Sequence, residues 1–102
     1  MKNEHEIVLD FLHYLQLEKN YSEYTIEFYR KDIDELFMFI LEQSIDNIHT
    51  VTYFDARLYL TKLYNKSLSK KTIARKTSSL RSFYKWLMRE GFVQENPFAL
   101  VS

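Results

Sequence analysis

Lys71, Arg75, Ser78, Ser82, Lys85 and Arg89 recur at alternating steps of four and three residues, the repeat that gathers side chains on one face of a helix. Cations at this spacing neutralise phosphates, and an arginine fork also bonds guanine. The short serines between them let a helix approach closely and add hydrogen bonds to backbone oxygens. No acid interrupts residues 56–89, whereas an ordinary solvated helix face mixes both signs in supporting pairs. The pattern points to nucleic acid, with a solvated face or a protein-facing patch as the other readings.

Other chemistries find little material. His5, His13 and His49 do not pair at ligand spacing and no HExxH occurs, so all three read as surface or boundary residues. There is no cysteine, hence no disulfide, thiolate or Cys-based zinc site. One glycine rules out a Gly-rich phosphate loop. Asp32, Asp34 and Glu35 cluster, but contiguous acids on one helix face are ordinarily solvated rather than cation-binding. Tyr29, Phe37, Phe83 and Tyr84 stand at helical spacing beside Leu and Ile, which makes them core rings rather than base-stacking platforms. No catalytic residue, metal ligand or cofactor is expected.

The elements that must carry these side chains follow from composition. The 102 residues suit one domain, and 46% apolar content suits one core. A single Gly and a single Pro leave little for the turns of a strand-rich fold, so helices on short loops and no sheet are expected. The net charge is zero, yet residues 1–55 hold 4 Lys/Arg against 12 Asp/Glu while residues 56–102 hold 10 against 2. Balances of −8 and +8 make the chain a charge dipole, with a polyanion expected on the basic half or an opposite-charged partner on either. No run nears the ~18 apolar residues of a membrane span and the start is acidic, so the expectations are a cytoplasmic location and no membrane partner.

Apolar periodicity places a first helix from Asn3 to about Leu17 and a second, capped by Ser22, to about Gln43, striped by Ile26, Tyr29, Ile33, Phe37, Ile40 and Leu41 with an acidic outer face. Thr52 and Asp55 form a capping box for a third helix to about Tyr64, burying Phe54, Leu58, Leu60 or Tyr59, and Leu63. Ser69 caps a fourth that ends at Glu90-Gly91 and buries Ile73, Thr77, Leu80, Phe83, Tyr84 and Leu87. Trp86 lies off that stripe, over a neighbouring loop or the exit segment. The tail from Phe92 to Phe98 reads as an irregular exit folding back on the core.

Two stretches carry a resemblance. Ser22-Glu23-Tyr24-Thr25-Ile26 with Tyr29, Asp32 and Ile33, then Leu68-Ser69, Thr72-Ile73, Arg75, Ser78, Leu80-Arg81, Phe83-Tyr84 and Asn96-Pro97, are together similar to the amino-terminal core-binding domain of tyrosine recombinases, most of all the Xer type, with phage and transposon integrases as near relatives. Thr77 departs from the Ile or Leu usual there. The resemblance implies an all-α, four-helix orthogonal bundle of two crossed hairpins, the SAM-like fold, filling residues 1–102, with a catalytic domain expected after residue 102. It implies double-stranded DNA and other recombinase subunits as partners, with no small-molecule ligand. The role would be to grip one arm of a recombination site for integration, recombination or chromosome-dimer resolution. The second and fourth helices would face the major groove, which maps onto Ser22, Thr25, Arg30, Lys71, Thr72, Arg75, Ser78 and Ser82. With the cations Lys70, Arg81 and Lys85 on the fourth helix these make the candidate DNA-binding set. The family's tyrosine nucleophile and its arginines have no counterpart here, so the parent rather than this domain would be the strand-cutting and rejoining enzyme. A helical docking module without DNA binding is the alternative.

Overall fold

Side-chain caps decide where each helix starts. Asn3 accepts from the Glu6 N–H at 2.9 Å, Ser22 from Thr25 at 3.2 Å and Ser69 from Thr72 at 3.1 Å. Thr52 and Asp55 exchange bonds in a capping box, at 3.1 and 2.9 Å. The computed structural model, which describes residues 2–101, accordingly contains α1 (Glu4–Leu17), α2 (Glu23–Glu42), α3 (Tyr53–Asn65) and α4 (Lys70–Arg89), and no strand among those residues. A 3-10 turn at Ile48–Thr50, unforeseen in the sequence, drives Ile48 into the core between α2 and α3. Gly91 ends α4 at φ +81°, while Asn20, Ser44 and Ser67 take the left-handed conformation at the other three connections.

α1 packs on α2 and α3 on α4, and α2 against α4 joins the two hairpins. The first half of the core is aromatic: the Phe11 ring lies 5.1 Å from Phe83, 5.4 Å from Trp86 and 5.9 Å from Tyr29, centroid to centroid. The second half sets Phe39 edge-on to Tyr59 at 5.0 Å and Tyr84 tilted against Phe98 at 5.7 Å. Phe98 is fully buried, so the tail does return to the core. Trp86 covers both Tyr14 of α1 and Phe92 of the exit, at 6.3 and 6.1 Å. Thr77 is buried without penalty because its hydroxyl donates to the Ile73 carbonyl at 2.8 Å.

Three expected core residues lie outside. Leu41 is 73% exposed because Ile40, about 100° away on the helix, takes the inward position. On α3 the buried stripe is Ala56, Tyr59, Leu60 and Leu63, which turns Phe54 and Leu58 outward at 75% and 41% exposure. Two residues either side of Ala56 is about 160° round a helix, too far to share its face.

The Tyr84 hydroxyl donates to the Ile48 carbonyl at 2.7 Å, and burial holds its pKa well above the ordinary phenol value. Tyr84→Phe strands that carbonyl and is expected to cost about 1–3 kcal/mol in urea denaturation. Phe54→Ser is expected to stay within about 0.5 kcal/mol of wild type, and a loss of the Tyr84→Phe size would restore Phe54 to the core.

Candidate nucleic-acid interface

α4 divides sharply. Its inner side buries Ile73, Leu80, Phe83, Tyr84 and Leu87, and its outer stripe consists of Lys71, Arg75, Ser78, Ser82, Lys85 and Arg89. Lys71, Ser78, Lys85 and Arg89 are exposed, and Arg75 and Ser82 half-buried. α2 runs antiparallel beside α4: its Phe28, Asp32 and Glu35 meet Arg75 and Lys76, while Tyr21 and Tyr29 meet Ser82 and Lys85 around one cavity. Ser22 and Thr25 therefore stand near the C-terminal half of α4. Their hydroxyls are bonded to each other at 3.1 Å, and the Ser69–Thr72 pair repeats the arrangement at 3.0 Å at the start of α4. Each helix thus opens on a hydroxyl pair beside its electropositive first turn.

One acid of α2 leaves the solvated face. Asp32 is 1% exposed and accepts from Arg75 Nη1 at 2.8 Å and Lys76 Nζ at 3.2 Å. Lys76, itself buried, also donates to Glu35. A carboxylate out of water must be paired in this way or it would not stay ionised. The sequence reading of Asp32 as a solvated acid is therefore corrected, while Glu35 and Asp34 are exposed as that reading has them, and Lys76 is a cation it passed over. Part of the charge dipole written along the chain is spent within the fold, across the α2–α4 contact.

Arg75 is held on two sides. Asp32 takes one nitrogen, and the guanidinium carbon lies 4.7 Å from the Phe28 ring centroid. At 40% side-chain exposure the rest of the fork faces solvent. Lys71 and Lys85 have no carboxylate partner among the described residues.

Four candidates stand apart from this stripe. Arg30 bonds Glu27 and, at 2.8 Å, Asp34, on an outer strip of α2 about 140° round the helix from Thr25. Glu27 holds the Arg30 pKa above its ordinary value, and the arginine in turn lowers that of Glu27. Arg81 turns to the tail, where Nε donates to the Phe98 carbonyl at 3.1 Å and Nη2 to the Val101 carbonyl at 2.7 Å. Lys70 lies about 100° off the stripe, and the Thr72 hydroxyl serves the α4 cap. The sequence reading also left out of its candidate set Phe28, Tyr29 and Lys19, which border the same face. Only the register of α2 on α4 places them there, and sequence periodicity does not report register. The histidines are exposed, as expected, and no group of acids and histidines among the described residues could hold a metal ion. No helix among the described residues is long and apolar enough to cross a membrane.

Comparison with known proteins places this geometry in context. The family described as phage integrase, N-terminal SAM-like domain, matches residues 8–91. The chain is 56% identical over 92 residues to tyrosine recombinase XerC of Anoxybacillus flavithermus, covering 90% of this chain and 31% of that protein. It is 51% identical over 102 residues to that of Bacillus pumilus, covering 100% and 33%, and 50% identical over 101 residues to that of Bacillus subtilis, covering 99% and 33%. The chain thus spans about a third of the length of these curated relatives. No solved structure matches it significantly.

Asp32→Asn leaves Glu35 as the one carboxylate beside the buried Lys76 and is expected to cost about 3 kcal/mol in chemical denaturation. Arg75→Ala leaves Asp32 with Lys76 and is expected to cost less, about 1–2 kcal/mol. Equal and small losses for both would mean that the cluster does not organise the α2–α4 contact.

Proposed function

This chain belongs to the family of phage integrase N-terminal SAM-like domains, and on that premise we propose that its α2–α4 face binds double-stranded DNA in the major groove. The observation that carries the reading is the outer stripe of α4, where Lys71 and Lys85, without a carboxylate partner among the described residues, flank Arg75, Ser78 and Ser82. Lys71 and Lys85 are 14 residues apart, about 21 Å along a helix. A major groove is about 12 Å wide between its phosphate rails, so long cationic side chains at the two ends suit the two strands, with Ser78 and Ser82 toward the base edges. Helix starts at Ser22–Thr25 and Ser69–Thr72 add backbone N–H groups at opposite ends of the face. Arg75 supplies base readout: clamped by Asp32 and Phe28, its free edge is held in place before DNA arrives, which limits the entropy lost on binding.

Phosphate contact dominates this interface, so affinity falls steeply with salt and base discrimination is modest. In a parent the length of its relatives, this domain would hold one arm of a recombination site while a following tyrosine recombinase domain cuts and rejoins strands. The outer strip of α2 that carries Arg30 between acids, and α1, would then be free for contact with other recombinase subunits.

Titration of the 102-residue chain with a labelled duplex across a salt series tests the reading. Binding should be weak and salt-dependent. Lys71→Ala should lower the slope of log affinity against log salt by about 0.9. Arg75→Ala should also weaken binding, and more on the preferred sequence than on random duplex. Arg81→Ala should act on stability and leave the slope unchanged. Binding that is absent, or insensitive to salt, would contradict the proposal.

A further inference from the structure

A cavity of about 280 Å³ opens where α4 leaves the outer stripe, between the end of α1, the start of α2 and the last turns of α4. Three cations line it, Lys19, Lys85 and Arg89, and no carboxylate is in its lining, although Arg89 Nε also donates to Glu90 beside it at 3.4 Å. The groove between α2 and α3, by contrast, sets Glu35 and Glu42 against Lys62 and Lys66 and so has no preference of sign. The walls of the cationic cavity are rings. Tyr21 and Tyr29 stack at 5.9 Å with 29° between their planes, and the Arg89 guanidinium carbon sits 4.6 Å from the Tyr14 ring centroid. The turn that presents Lys19 and Tyr21 is fixed: Asn20 takes φ +55°, and the Tyr21 N–H donates to the Leu15 carbonyl at 3.1 Å. Burial raises the Tyr29 phenol above its ordinary pKa.

An anion alone would need the cations but not the rings, and an apolar ligand the rings but not the cations. A nucleotide needs both, because its phosphate is charged and its sugar and base offer flat or apolar faces. We propose that this cavity seats a nucleotide phosphate on Lys19, Lys85 and Arg89, with the attached sugar or base against the Tyr21–Tyr29 stack. For a phosphate of duplex DNA the proposal rests on the function proposed above, and the cavity would then anchor the end of the α4 stripe to one strand. A free nucleotide carries the same chemistry.

The test titrates the chain with a short duplex and, separately, with thymidine 5′-monophosphate and inorganic phosphate, following the single tryptophan, Trp86, which lines the cavity, and the amide shifts of Asn20 and Tyr21. Lys19→Ala and Arg89→Ala should each lower the duplex salt slope by about 0.9 and weaken binding several-fold. Tyr21→Leu should weaken the mononucleotide more than inorganic phosphate, and Tyr21→Phe should restore it. Duplex binding with an unchanged slope in both cation variants overturns the cavity proposal and leaves the α4 reading standing. Mononucleotide binding without duplex binding supports the cavity and sinks the DNA reading. If no probe moves Trp86 or the Asn20–Tyr21 turn, the cavity proposal is wrong.

Discussion

A single buried carboxylate fixes how the two hairpins meet. Asp32 comes from the first and is satisfied only by Arg75 and Lys76 of the second. An apolar interface between helices tolerates small slips, since one methyl contact replaces another at little cost. An ion cluster excluded from water does not, because a shifted register leaves a charge unpaired. The register of α2 on α4 follows from this, and with it the placing of Ser22, Thr25 and Phe28 beside the outer stripe of α4. The same contact aims Arg75, so one interaction serves both the fold and the face.

The ends of the helices were legible in the sequence because caps are local. Asn3, Ser22, Thr52 and Ser69 each need only a backbone N–H two or three residues on. The stripe of α4 was legible for the same reason, since six residues at helical spacing report their own face. Width was harder to judge. Leu41, Phe54 and Leu58 are apolar and close to true core positions, but a four-helix domain has inward room for only one side of each helix, and neighbouring core residues had already taken it. Tertiary pairing was not legible at all. Nothing near Asp32 in the chain separates it from Asp34, which stays exposed and pairs with Arg30. Arg81 likewise reads as one more cation of α4 until the tail folds back and presents the carbonyls of Phe98 and Val101. The family resemblance compensated for part of this, because it supplied the crossed hairpins that periodicity alone leaves open.

The division of charge along the chain thus has two uses. Some of the basic half closes the bundle by pairing with acids of α2, Arg81 is occupied by the tail, and other cations form a line on the outer face of α4. In that line Lys71 and Lys85 have no carboxylate partner among the described residues, Arg75 shares its guanidinium with Asp32 and Arg89 bonds Glu90, with Lys19 joining at the far end. A line of cations spaced by serines matches a repeating polyanion better than a compact acidic surface, whose charges have no fixed period.

The claim that this line meets DNA is tested most directly by mapping backbone amide shifts during titration with unlabelled duplex. The account expects them on α4 at Lys71, Arg75, Ser78, Ser82 and Lys85, together with Ser22 and Thr25 of α2. Shifts gathered instead on α1 or on the Glu23, Glu27 and Asp34 side of α2 would contradict it and favour a docking role for the acidic half.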